Sequence, residues 1–283
     1  MPILFSDVTV VPMDGAPQVL EHAYVAVEGT KIASVGTEPP EGTFDRVVDG
    51  AGKVLLPGFV NAHTHLPMTL MRGYGGGCDL HTWLNQYIFP AEARLDSRAV
   101  AAGAGLGLAE MIASGVTCVA DMYMHTGTIA EQILEAGISA NLSCGGVYFG
   151  APEDFSPETC GDCRNQAALT EEWHGAGAGQ ILVDASVHGE YTSNPPLWRW
   201  MAEYAAEHRL GMHVHVSETQ SEHQASLERW GKTPIQALDG CGVWDCGRSL
   251  AAHCVYTTEE DWALMAEKGI SCVHNPWSNL KLG

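Results

Sequence analysis

Basic residues are scarce in this 283-residue chain: 14 Lys plus Arg stand against 34 Asp plus Glu, a formal net charge of -20. A surface of that sign cannot neutralise a phosphate backbone or an anionic bilayer, which argues against a nucleic-acid polymer or a membrane as partner. No 18-residue apolar run is present to span a bilayer. The start, MPILFSDVTV, lacks the basic region and long apolar stretch of a secretory leader. Cysteines number nine, an odd count, and several sit in apolar runs such as VTCVAD and SCVHN, a pattern that suits reduced, buried thiols and a cytoplasmic protein. Cys160 and Cys163 form a lone C-x-x-C, a weak signal for a redox or metal pair because no second pair stands at zinc-ribbon spacing. With 46% hydrophobic residues the chain can bury a core, so disorder is excluded and a small-molecule partner is expected.

Apolar alternation divides the chain in two. Residues 3 to 12 and 24 to 36 read as short strands, the second stretch broken by the turn Glu28-Gly29-Thr30, so residues 1–56 are expected to form a small β unit. From Leu55 onward, apolar strands alternate with helical stretches. The strand candidates are LLPGFVNAH (55 to 63), VTCVADM (116 to 122), ISANLSCGG (138 to 146), ILVDASVHG (181 to 189), GMHVHVSE (211 to 218), SLAAHCV (249 to 255) and ISCVHNP (270 to 276). Helices are expected over Ser97 to Ser114, Thr128 to Ala136, Leu197 to His208 and Thr258 to Glu267. Such alternation implies βαβ units and a parallel sheet, and seven strands fit a (β/α)8 TIM-type barrel without its last unit better than half of a doubly wound sheet. The expected architecture is α/β, with the barrel over 57–283 and a small N-terminal β-sandwich portion.

TIM-type barrels place their chemistry at the carboxyl ends of the strands. Five of the seven strands end in or near histidine: His63 with His65, His188, His215, His253 and His274, while the second ends in Asp121. His63 and His65 are two apart and share a strand face, so both imidazoles can address one ion. The same spacing recurs at His213 and His215, and spacing alone does not choose between them. Glu218, three residues after His215, stands where a carboxylate could serve as general base, or where it could simply favour a helix N-terminus. His188 and His253, each alone on its strand, would ordinarily be buried hydrogen-bonded residues and gain weight only as members of the set.

The segments PGFVNAHTHLPMTLMRG (57 to 73), LAEMIASGVTCVADMY (108 to 123), HVSE (215 to 218), LAAHCV (250 to 255) and HNPWSNLKLG (274 to 283) together resemble the amidohydrolase superfamily. They resemble in particular its deaminases of S-adenosylhomocysteine, methylthioadenosine and adenosine, and related chlorohydrolases. The resemblance implies that His63, His65 and His215 bind one divalent metal, zinc first, with iron or manganese as alternatives. It favours His215 over His213, makes Glu218 the proton shuttle, and makes His253 the residue that polarises the reacting centre. It further implies that Trp83, Glu92 and His188 contact the substrate, the carboxylate through ribose hydroxyls. A homo-oligomer is compatible with it.

The expected activity is hydrolytic deamination of an adenine nucleoside or thioether derivative. Alternatives are an aminohydrolase or chlorohydrolase acting on a triazine or on another base such as guanine or cytosine, and, from a different class, a non-catalytic ligand-binding pseudoenzyme. Three departures stand out. The family's remaining ligand, an Asp at the end of the eighth strand, would lie beyond Gly283, so the chain is expected to be part of a longer polypeptide. Cys144 stands where some homocysteine-accepting members carry Arg, with Arg164 in the following loop as a substitute. Trp277 fills the variable position of HNPxSN, where it would narrow the pocket or pack under a loop.

Overall fold

A computed structural model describes residues 1–15 and 18–282, and they form two compact units that divide between Phe59 and Val60. The first unit holds β1 (Ile3–Val10), β2 (Leu20–Glu28), β3 (Lys31–Gly36), β4 (Arg46–Asp49) and β5 (Val54–Leu55). They form one sheet in the order β3-β2-β1-β4, with β5 also on β1. β2 and β3 make the expected hairpin, with Glu28 opposite Lys31, whereas β4 and β5 run parallel to β1. Val8, Val10, Ala23 and Val25 form this unit's own small core.

Seven further strands follow: β6 (Phe59–Thr64), β7 (Val116–Met122), β8 (Ser139–Ser143), β9 (Ile181–Gly189), β10 (Gly211–Val216), β11 (Ser249–His253) and β12 (Ile270–Val273). They lie side by side in chain order from β6 to β12, and the pairs from β7 to β12 are parallel. Strand after strand is separated by helices, including Ser97–Ala113, Thr126–Ala136, Pro195–His208 and Glu259–Lys268. This is the near-barrel expected from the alternation. Its carboxyl-end rim is where β6, β9, β10 and β11 deliver histidines.

The strands end where backbone geometry forces them to. β6 begins at Phe59 rather than Leu55, because Pro57 cannot donate to a ladder. β10 stops at Val216 and β11 at His253, since Ser217 (φ 54), His253 (φ 79) and Cys254 (φ 48) take left-handed conformations. β12 stops at Val273, and Pro276 instead opens the helix Pro276–Leu282.

The helix Ser97–Ala113 packs on the turn that follows the first histidines. Gly103 lies so close to the 3-10 turn Leu66–Met71 that a Cβ there would stand 2.5 Å from the Pro67 carbonyl oxygen and 2.9 Å from its Cα, and the Thr69 hydroxyl donates to the Gly103 carbonyl at 2.7 Å. Both obstructions are backbone and cannot swing aside. Gly103→Ala should therefore lower stability by about 1–3 kcal/mol despite the better helix propensity of Ala, read as a lower thermal midpoint. An unchanged midpoint would show that the helix can slide off the turn.

Candidate active site

All eight site residues expected from the sequence, His63, His65, Trp83, Glu92, His188, His215, Glu218 and His253, line one cavity of about 410 Å³ at the carboxyl ends of the strands. That size suits a small organic ligand. The imidazoles converge because each is held by its Nδ1. His65 Nδ1 lies 2.6 Å from the Met122 carbonyl oxygen, and His215 Nδ1 lies 2.6 Å from the His188 carbonyl oxygen. A carbonyl only accepts, so in both rings Nδ1 carries the proton and Nε2 keeps its lone pair. Those two Nε2 atoms are 3.2 Å apart. His63 Nδ1 is likewise engaged, 2.8 Å from His213 Nε2.

Ligand atoms of His63, His215 and His253 all lie within 4.8 Å of one another, and His65 joins them through His215. Burial holds every one of these rings below the usual imidazole range: His63 and His215 fall well below it, His65 is lowered, and His253 is brought to about 4. Neutral nitrogens clustered in this way, each ring fixed from behind, are a donor set suited to a divalent transition ion.

Glu218 follows β10, and its Oε1 lies 3.6 Å from His253 Nε2. Burial, reinforced by the neighbouring Glu222 carboxylate, lifts the Glu218 carboxyl to about 8. A bound cation would oppose that shift by stabilising the carboxylate. Helix capping is not its task. Thr219 is the N-cap of the helix Gln220–Trp230, and Glu222 in the first turn accepts from the Ser217 and Glu218 amides at 2.8 and 2.7 Å. Glu222 thereby fixes the strained loop from which Glu218 projects, a role that its place in a polar helical run does not reveal.

Two other supports went unassigned in the sequence. Asp121, at the end of β7, is buried, lifted to about 7 by that burial, and accepts the Leu66 amide at 2.6 Å, so it anchors the backbone just after His65. Asn279, within the HNPWSN motif, has its Oδ1 2.9 Å from His253 Nδ1, leaving His253 Nε2 toward the cavity. Glu92 comes from the short helix Phe89–Glu92, and burial raises its carboxyl above the ordinary range. Trp83 is oriented by its indole N–H, which donates to the Tyr74 carbonyl at 3.0 Å.

Other expectations are corrected. Trp277 is 87% exposed and lies outside the cavity lining, so among the described residues it neither narrows the pocket nor packs under a loop. Arg164 is no substitute for a cation at Cys144, because its guanidinium donates to the Glu158 carbonyl on an exposed surface, whereas Cys144 lines the cavity. His274 is exposed and has its Nδ1 on the Asn279 amide rather than in the site. Cys160 and Cys163 are free, buried thiols at the start of the helix Gly161–Trp173, and burial pushes Cys163 far up, which opposes the thiolate that redox or metal chemistry requires. No described helix is long and apolar enough to cross a membrane.

A family model described as Amidohydrolase family matches residues 54–283. A 5-methylthioadenosine/S-adenosylhomocysteine deaminase of Syntrophomonas wolfei is 36% identical over 283 residues, covering 100% of this chain and 64% of that protein. A 5'-deoxyadenosine deaminase of Methanothermobacter thermautotrophicus is 40% identical over 263 residues, covering 93% of this chain and 60% of that protein. Among solved structures, an adenosine deaminase from Xanthomonas campestris with bound zinc superposes with a TM-score of 0.87 at 31% identity, covering 99% of this chain and 64% of the other. The chain thus spans somewhat less than two thirds of the length of these proteins.

Proposed function

The chain belongs to the amidohydrolase family, and from that premise we propose that it carries the metal and acid-base residues of a hydrolytic deaminase acting on adenine nucleosides. The observation that carries this reading is the convergence of His63, His65, His215 and His253 beside the Glu218 carboxylate in one cavity. His63, His65 and His215 would hold a divalent metal, zinc first, with iron or manganese suited to the same donors. When bound, such an ion supplies hydroxide at neutral pH by lowering the pKa of water toward about 7.

Glu218 would take the proton of the attacking water and pass it to the adjacent ring nitrogen. Protonation there makes the ring carbon electrophilic, and a second proton, taken from the added hydroxyl by Glu218 and passed to the exocyclic amine, lets the amine leave as ammonia rather than as an amide anion. His253, its Nδ1–H held by the Asn279 amide oxygen, presents the Nε2 lone pair next to Glu218 and can orient the attacking water by accepting one of its protons in a hydrogen bond. Trp83 offers an indole face, Glu92 a buried carboxylate for ribose hydroxyls, and His188 a ring whose Nδ1 is tied to the Thr192 hydroxyl at 3.0 Å. Cys144 and Met68 on the lining, with the Asp162 carboxylate, favour a methylthio or 5'-deoxy substituent over one ending in a carboxylate. The names of the relatives include substrates of both kinds.

The test is to incubate the metal-loaded full-length protein with adenosine, 5'-deoxyadenosine, methylthioadenosine and S-adenosylhomocysteine, following ammonia release and the adenine-to-hypoxanthine absorbance change. Turnover is expected, fastest with the uncharged substituents. Turnover of guanine, cytosine or a triazine instead would transfer the reading to the corresponding aminohydrolase, and absence of all turnover would favour a binding protein. Glu92→Gln should raise KM by about 10- to 100-fold, the equivalent of roughly 1.5–3 kcal/mol for a hydrogen bond to a charged group, with a smaller change in kcat. An unchanged KM would remove Glu92 from the substrate contacts.

A further inference from the structure

We propose that His213 is a positioning residue that sets the tautomer of His63, so that the His63 Nε2 lone pair faces the cavity. The inference rests on the reading of the cavity as a metal site, but its argument uses only this chain's hydrogen bonds. His213 lies two residues before His215 on β10, is 1% exposed and does not line the cavity. Both its nitrogens are engaged: Nε2 lies 2.8 Å from His63 Nδ1, and Nδ1 lies 3.4 Å from the Ser143 hydroxyl. Ser143, fully buried at the end of β8, donates to the Asp121 backbone carbonyl at 3.3 Å.

The polarity of this chain follows from its last member. A carbonyl oxygen can only accept, so Ser143 donates its proton to Asp121, and the Ser143 oxygen is left to accept from His213 Nδ1–H. His213 is 1% exposed and, among the described residues, neither ring nitrogen meets a carboxylate; a neutral imidazole carries one ring proton, here on Nδ1, so His213 Nε2 accepts. His63 Nδ1 must then be the donor. With that proton placed, His63 Nε2 bears the lone pair.

The opposite tautomer would put an N–H where a ligand atom is needed. His65 and His215 obtain the same result directly from the carbonyls of Met122 and His188. His63 has no such carbonyl at its Nδ1, and the relay through His213 and Ser143 supplies the equivalent. The second H-x-H of the sequence therefore divides its labour between one ring that faces the cavity and one that stands behind His63.

Long-range proton–nitrogen NMR spectra of the metal-free full-length protein, with His63 assigned by its loss in His63→Gln, should show Nδ1–H for His63. Nε2–H would overturn the proposal. In the metal-loaded protein, His213→Leu should weaken zinc affinity by about 10- to 100-fold in competition with a chelator, as loss of outer-shell partners does. His213→Gln, whose amide oxygen can accept from His63 Nδ1, should restore most of it. Equal affinity in His213→Leu and wild type, or no recovery in His213→Gln, refutes the role. If His213→Leu does not fold, Ser143→Ala decides the matter, with a several-fold loss of affinity expected and none refuting it. A wild-type protein that binds no divalent metal would refute the metal reading as well, and is told apart by the NMR result, which needs no metal.

Discussion

Glu218→Gln in the metal-loaded full-length protein should reduce kcat for adenine nucleosides by about 10²- to 10⁴-fold while leaving metal content near the wild-type level. The substitution keeps the volume and the polar oxygen but removes the ability to accept and return a proton. The carboxyl is buried, stands 3.6 Å from His253, and lies next to rather than within the cluster of His63, His215 and His253. Chemistry and metal retention are therefore expected to separate. The check is a paired measurement of steady-state kinetics and metal stoichiometry. If kcat survives, another group moves the proton. If metal is lost in parallel, Glu218 belongs to the ligand set.

Stripping the metal with a chelator should abolish turnover, and added zinc should restore it. His215→Ala should abolish it without recovery. Water has a pKa near 15.7 when free and about 7 on a zinc ion, so the loss is expected to reach several orders of magnitude. His215 is the informative position because its Nδ1 is fixed by the His188 carbonyl and its Nε2 lies within 3.2 Å of His65 Nε2, so truncation removes a ligand atom at the centre of the cluster. Thermal melting with and without zinc gives an independent reading, since an ion bound only by the folded state raises the midpoint. Full activity after metal removal would overturn the metal-dependent mechanism. A zinc-induced shift of the midpoint that persists in His215→Ala would place the ion elsewhere.

Much of the fold was legible because its causes are local. β7 and β9 occupy the apolar runs 116 to 122 and 181 to 189 as expected, and the helices at Ser97 and Pro195 begin within two residues of the expected starts. Strand ends at Val216 and His253 were less legible. They depend on left-handed residues held by contacts between neighbouring loops, such as the Val255 amide donating to the Ser217 carbonyl at 2.8 Å. Trp277 was misjudged for the same reason, because whether an indole enters a pocket depends on which way the helix Pro276–Leu282 turns.

For the site, the sequence by itself determined the chemical inventory: which strands end in imidazole, that Glu218 follows His215 by three residues, and that the acidic surface suits a small ligand. Only the tertiary structure decided how those groups are used. A period of two places His213 and His215 on the same strand face, so nothing local distinguishes them. The distinction arises from what stands opposite: the His188 carbonyl holds one ring with its Nε2 toward the cavity, and Ser143 on β8 holds the other behind His63. Hydrogen-bond polarity is a property of partners brought together across 70 and 150 residues of chain. It exists only once the strands are side by side.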